Sequence, residues 1–311
     1  MTTDQLNHCH DTIRPHIHRT PVLFSTQLNE MAGCILMFKC ENFQKMGAFK
    51  MRGATYAITQ LPEELCNKGV VTHSSGNFAQ ALSLAAQSLG VQAYIVMPEN
   101  APEVKIAAVK GYGGQVILCA PTMEQREASA LKIQQETGAT FIHPSNDAAV
   151  ITGQGTVAKE LLEDYPDLDI IVSPVGGGGL IGGTILAVEA HPKKVQVIGA
   201  EPAEADDAYR SLLSGKIEKN RTTNTIADGL KTMLGDINFP LIQRGVQKIV
   251  RIEEKEIVDS MRLIWERMKI IVEPSCAVTL AAVLKEKEFF AGKKVGLLIS
   301  GGNVDLSKLP F

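Results

Sequence analysis

Short apolar runs alternate with stretches of helical character along most of the chain. Val70-Val71-Thr72-His73 is apolar and β-branched, and it breaks at Ser74-Ser75-Gly76-Asn77. A helix-like run covers residues 78–89, the next strand-like run is 93–96, and another helix begins after Pro102. Residues 115–118 and 140–143 repeat the pattern, as do 170–172, 195–198 and 295–299 further on. Cys34-Ile35-Leu36-Met37-Phe38-Lys39-Cys40 is strand-like too. Strands that are apolar throughout must be covered on both faces, and helices between them supply the crossovers of a parallel sheet. The pattern therefore predicts an α/β fold, with two domains of mostly parallel sheets covered by helices. Four tightly spaced β-α repeats predict a small inserted α/β domain at 67–144. Residues 1–66 and 145–311 then form the larger domain.

Composition narrows the function. The chain has 311 residues, 45% hydrophobic and 21% charged, which suits a globular enzyme with a substantial core. A net charge of -3 with no basic stripe predicts neither a nucleic-acid nor a membrane partner. The six cysteines form no Cys-x-x-Cys pair and are read as reduced, mostly buried thiols in a cytoplasmic protein. The N-terminal residues lack the basic and apolar regions of a signal peptide, and no apolar run has the length of a membrane span.

Two segments carry the candidate chemistry. In Gly47-Ala48-Phe49-Lys50-Met51-Arg52-Gly53-Ala54, one lysine stands among small and apolar neighbours. An apolar setting lowers a lysine pKa, and the neutral amine is the form that attacks an aldehyde. In Ser173-Pro174-Val175-Gly176-Gly177-Gly178-Gly179-Leu180, a strand runs into glycines and then a helix. Such a loop turns backbone N–H groups onto an anion at a helix N-terminus. A lysine for an aldehyde and a loop for a phosphate together predict pyridoxal 5'-phosphate. Ser74-Ser75-Gly76-Asn77 also follows a strand and offers hydroxyls and an amide, either as a ligand loop or as a helix cap. Ser300, at the strand-to-glycine junction Ile299-Ser300-Gly301-Gly302-Asn303, offers a ring nitrogen a neutral hydroxyl. A carboxylate there would keep the ring protonated; a hydroxyl favours β-elimination over long-lived carbanions.

These segments, with Thr20-Pro21-Val22-Leu23, Ala200-Glu201-Pro202, Ile226-Ala227-Asp228-Gly229 and Glu273-Pro274, resemble one family in order and over almost the whole chain. It is the serine racemase and serine/threonine dehydratase branch of the fold-type II, tryptophan synthase β-like, pyridoxal phosphate enzymes. The resemblance implies that Lys50 carries the cofactor and moves the Cα proton. It puts Phe49 against the ring, Asn77 on the ring hydroxyl oxygen, Gly176, Gly177, Gly178 and Gly179 on the phosphate, and Ser300 on the ring nitrogen. Glu273 lies near the ring. Ser74, Ser75, Gly76 and Asn77 receive the substrate, with Arg126 nearby. Ser75 is the implied second acid/base, on the face opposite Lys50. Glu201, Ala205 and Asp207 are the implied ligands of Mg2+, or of Ca2+ or Mn2+. A homodimer is implied as well.

The expected activity is therefore an ammonia-lyase acting on serine, threonine or threo-3-hydroxyaspartate, with serine racemase activity. A β-replacement enzyme of the cysteine synthase type is an alternative within the same fold. A non-catalytic regulator that binds amino acid or cofactor is an alternative of another class.

Overall fold

A computed structural model describes residues 2–311. Ten strands form two sheets. Val22–Leu23 (β1), Ile35–Cys40 (β2), Ile170–Pro174 (β7), Gln196–Pro202 (β8), Val246–Ile252 (β9) and Lys294–Ile299 (β10) make a six-stranded sheet in the order β1-β2-β10-β7-β8-β9. Val70–His73 (β3), Ala93–Pro98 (β4), Gln115–Cys119 (β5) and Thr140–Phe141 (β6) make a four-stranded sheet in the order β5-β4-β3-β6. Every pairing is parallel except β1 with β2.

The central strands follow the continuous apolar pattern: all five residues of β7 are buried, as are the last five of β10. β9 is different. Its sequence Val-Gln-Lys-Ile-Val-Arg-Ile alternates, with Gln247 and Arg251 exposed, because it is an edge strand. Its alternating, charged run gave no continuous apolar signal. The predicted strand at 140–143 is shorter than expected, since the chain leaves the sheet after Phe141.

Helix packing fixes the Lys50–Thr59 helix, which carries the candidate lysine. Its Met51, Ala54 and Ile58 share one apolar cluster with Cys9 and Ile13 of the first helix, Phe78 and Leu82 of the Asn77–Ser88 helix, and Val70 and Ile95 of the smaller sheet. Gly53 sets it almost backbone to backbone on the Ala148–Asp164 helix. A Cβ on Gly153 would stand 2.7 Å from the Gly53 Cα. Only glycine permits that approach.

Beneath this helix lies a buried charge network. Arg52, Lys39, Glu41 and Glu160 have no exposed surface. Arg52 Nε and Nη2 donate to Glu41 at 2.8 and 2.7 Å, and Nη1 and Nη2 donate to Glu160 at 2.7 and 2.9 Å. Lys39 Nζ donates to Glu160 at 2.6 Å and to the Thr20 carbonyl at 2.7 Å. His10 Nε2 donates to Glu160 at 3.0 Å. Two carboxylates thus meet two fixed cations, and the desolvation cost is offset by nearly complete hydrogen bonding. Burial alone would raise the Glu160 carboxyl. The His10 hydrogen bond and the Arg52 and Lys39 charges instead hold it well below the usual carboxylate range.

A depressed carboxyl contributes stability that is present above its unfolded value of 4.5 and is lost as pH falls below it. Glu160→Gln, which leaves two buried cations short of an anion, is expected to cost about 3–5 kcal/mol in urea unfolding at neutral pH. It should also flatten the loss of stability between pH 5 and 3. A variant with the parent midpoint and acid profile would contradict this account.

Candidate active site

The loops after β3, β7 and β10 converge on one cavity of about 1600 Å³, at the carboxyl ends of parallel strands. What draws the lysine into it is a short backbone pairing. Ala48 bridges Gly301 in antiparallel fashion, the Phe49 N–H donates to the Ser300 carbonyl at 3.0 Å, and the Gly302 N–H donates to the Gly47 carbonyl at 2.9 Å. The Glu273 N–H donates to the Gly301 carbonyl at 3.0 Å. Residues from three distant parts of the sequence thereby meet at Lys50. The chain enters this pairing through Met46 and Gly47, both left-handed at φ 55° and 79°.

Lys50 Nζ donates to the Pro144 carbonyl at 2.7 Å and lies 5.0 and 5.7 Å from the ring centroids of Phe49 and Phe78. Burial lowers its pKa to about 8, against the opposing pull of the Glu273 charge. Burial raises the Glu273 carboxyl to about 7, although Asn77 Nδ2 donates to both its oxygens at 3.1 and 3.0 Å. The uncharged amine that condenses with an aldehyde therefore becomes the major form above about pH 8, well below the range of an ordinary lysine.

The glycine loop has the character of an anion site. Gly178, at φ 79°, caps the Gly179–Glu189 helix in a conformation that side chains disfavour. Gly177 lies against Ser145 and Gly178 against Asn238, too close for a Cβ at either position. Among the described residues, no acceptor meets the N–H groups of Gly176, Gly177 and Gly178. These donors belong to a buried loop that lines the cavity, and a phosphate would satisfy them. Asn238 fixes the loop from behind, donating to the Gly177 carbonyl at 2.6 Å.

The cavity also takes in Phe49, Ser74, Ser75, Gly76, Asn77, Arg126, Glu273 and Ser300. The Ser74 N–H donates to the Val96 carbonyl at 3.1 Å, which fixes the start of that loop. The Ser75 hydroxyl makes no hydrogen bond to the described residues. Arg126 Nε is buried and has no partner among the described residues. His143 packs edge-on against the rings of His73 and Phe141 and accepts the Ser145 and Asn146 N–H groups on Nδ1 at 3.1 and 2.8 Å. Burial, with help from the charges of His73 and Lys50, lowers its pKa to about 4, so it is neutral.

Glu201, Ala205 and Asp207 are also buried but do not line the cavity. Glu201 accepts the Ala208 and Tyr209 N–H groups at 3.0 and 2.9 Å; Asp207 Oδ2 accepts the Leu234 N–H at 3.0 Å. Among the described residues, no group of three His, Cys, Asp or Glu side chains forms a metal cluster. Still, Asp207 Oδ1 is buried without a partner among the described residues. Burial and the Asp207 charge hold the Glu201 carboxyl well above its usual range, and burial pushes Asp207 up to about 6. Two buried acids and an orphaned oxygen fit a hard cation bound by these carboxylates and a backbone carbonyl.

Sequence reasoning overlooked Pro144, Asn238, His143 and Asn303. Pro144 acts through its backbone carbonyl, and Asn238 lies in no motif. Asn303 could have been flagged as the polar residue after the glycine pair that follows β10.

The family model described as "Pyridoxal-phosphate dependent enzyme" matches residues 13–301. The chain is 49% identical to the beta-hydroxyaspartate dehydratase of Paracoccus denitrificans, covering 100% of this chain and 98% of that protein. It is 50% identical to the serine racemase of Dictyostelium discoideum, covering 99% and 97%. The crystal structure of a serine racemase from Dictyostelium discoideum superposes with a TM-score of 0.94 at 50% identity, covering 98% of this chain and 99% of that one.

The lowered lysine pKa has a direct readout. The rate at which apo-protein takes up pyridoxal phosphate is expected to rise with pH and to level off above about 8, the value for Lys50. A rate that keeps climbing about tenfold per pH unit toward 10 would mean an ordinary lysine.

Proposed function

Because the chain belongs to the family of pyridoxal-phosphate dependent enzymes, we propose that it is an ammonia-lyase of β-hydroxy amino acids, with threo-3-hydroxyaspartate as its preferred substrate and serine racemisation as a second activity. When bound, pyridoxal phosphate supplies an electron sink that acidifies the Cα–H of the amino acid. Lys50 holds the cofactor and then moves the Cα proton at Nζ. Its cavity position and lowered pKa suit both tasks. The Ser74–Asn77 loop receives the α-carboxylate, and the Asn77 amide meets the ring's phenolic oxygen. Ser300 gives the ring nitrogen a neutral hydroxyl, so charge is drained by loss of the β-hydroxyl as water. The products are a 2-oxo acid and ammonia.

The choice of substrate rests on Arg126. Its Nε is a buried, partnerless donor on a cation that lines the same cavity. The α-carboxylate already has the Ser74–Asn77 loop, so the leftover cation suits a second carboxylate. The dehydratase of Paracoccus denitrificans supports this choice. Ser75, with a hydroxyl free of protein partners, is assigned the proton transfer on the second face, and the serine racemase relative supports that role. Glu201, Asp207 and the Ala205 carbonyl are assigned to a structural Mg2+, Ca2+ or Mn2+. Six free cysteines suit a reducing cytoplasm, and a homodimer belongs to the same reading.

Purified enzyme should be assayed with serine, threonine and threo-3-hydroxyaspartate, measuring 2-oxo acid and the opposite enantiomer together. Hydroxyaspartate should give the highest kcat/KM, and Arg126→Ala should cut it about 100-fold while changing serine turnover little. Equal losses on both substrates would overturn the role of Arg126. Ser75→Ala should lose racemisation and keep elimination; parallel loss of both would remove its separate role.

The cation is tested by stability. Mg2+ should raise Tm for the parent protein and not for Asp207→Asn. An identical rise in both would rule out this site.

A further inference from the structure

The Asn77 amide has two chemically different ends, and its usefulness depends on which one faces the cavity. Its Nδ2 faces Glu273 and its Oδ1 accepts from Asn303 Nδ2 at 2.9 Å. Glu273 cannot fix that choice alone. Burial raises its carboxyl to about 7, so near neutral pH it can either accept a hydrogen bond or donate one.

Asn303 can fix it. Its Nδ2 also donates to the Met46 carbonyl at 2.9 Å. A backbone carbonyl only accepts, so Asn303 must turn its NH2 toward Met46. That NH2 also meets Asn77, which must then offer its oxygen. The Asn77 NH2 is left toward Glu273 and the cavity. The anchor is itself well held. Met46 and Gly47 form the left-handed turn before Lys50, and the Gly302 N–H ties Gly47 to the residue preceding Asn303. The Asn303 side chain lies over Gly47, where a Cβ would come within 2.7 Å of its Oδ1. Asn303 therefore bridges the loop after β10, the approach to Lys50, and the helix that begins at Asn77.

We propose that Asn303 is a positioning residue: anchored on the Met46 carbonyl, it locks the Asn77 amide with its NH2 toward the cavity, as the donor to the phenolic oxygen of pyridoxal phosphate. This inference rests on the assignment of Asn77 made above. Asn303 lines the cavity but acts through Asn77, and its loss leaves that amide free to flip.

The test is a double-mutant cycle of Asn303→Ala and Asn77→Ala, each titrated with pyridoxal phosphate. The readouts are the cofactor Kd and the pH midpoint of the bound cofactor's absorbance band, with apo-protein Tm as a check on folding. Each single variant should weaken cofactor binding about tenfold and shift the band's midpoint. The double variant should be no worse than Asn77→Ala. Asn303→Asp, which keeps the shape and loses the NH2, should behave like Asn303→Ala. Additive losses in the double variant, or a parental band in Asn303→Asp, would overturn the inference and leave the Asn77 assignment standing. A parental band in Asn77→Ala would overturn both.

Discussion

The site depends on a few backbone hydrogen bonds between Gly47–Phe49 and Ser300–Gly302. They join the residues before Lys50 to the loop that ends the central strand β10. Without them Lys50 would be one more helical lysine, and lysines are mostly solvated. With them its amine is inside a cavity, against the Pro144 carbonyl and two aromatic rings. Burial then lowers the pKa of the amine to about 8. The glycines on both sides follow from this pairing. Gly47 needs a left-handed φ, and a side chain at Gly301 would strike the Glu273 carboxyl.

The helix carrying Lys50 faces two electrostatic settings. Toward the cavity, Lys50 has one carbonyl acceptor and a carboxylate whose own ionisation is weakened. Two residues on, Arg52 is saturated by two carboxylates and a threonine hydroxyl. Helix geometry keeps the two cations apart, because residues two apart point in different directions. One cation is fixed by two carboxylates, and the other has its pKa lowered by burial.

Much of the fold was legible in the sequence. The apolar runs located β3, β4, β7 and β10, because buried parallel strands carry an unmistakable composition. Lys50, the four glycines and Ser300 were legible because each motif sits at a strand-to-loop or loop-to-helix junction. The illegible parts share a physical cause. Edge strand β9 alternates instead of running apolar. Pro144 contributes only a backbone oxygen, which has no signature in residue type. Asn238 and Asn303 work by orienting other groups, and such roles exist only once distant loops are brought together. The buried quartet around Arg52 was equally hidden, since Lys39, Glu41 and Glu160 look like ordinary surface charges in one dimension.

That quartet also reaches toward the start of the chain. His10, on the first helix, is one of the donors to Glu160, which in turn holds Arg52, two residues from Lys50. The amino-terminal helix is thus part of the foundation on which Lys50 stands. The seating of that helix is therefore relayed through three side chains, His10, Glu160 and Arg52, to the turn that aims the Lys50 amine.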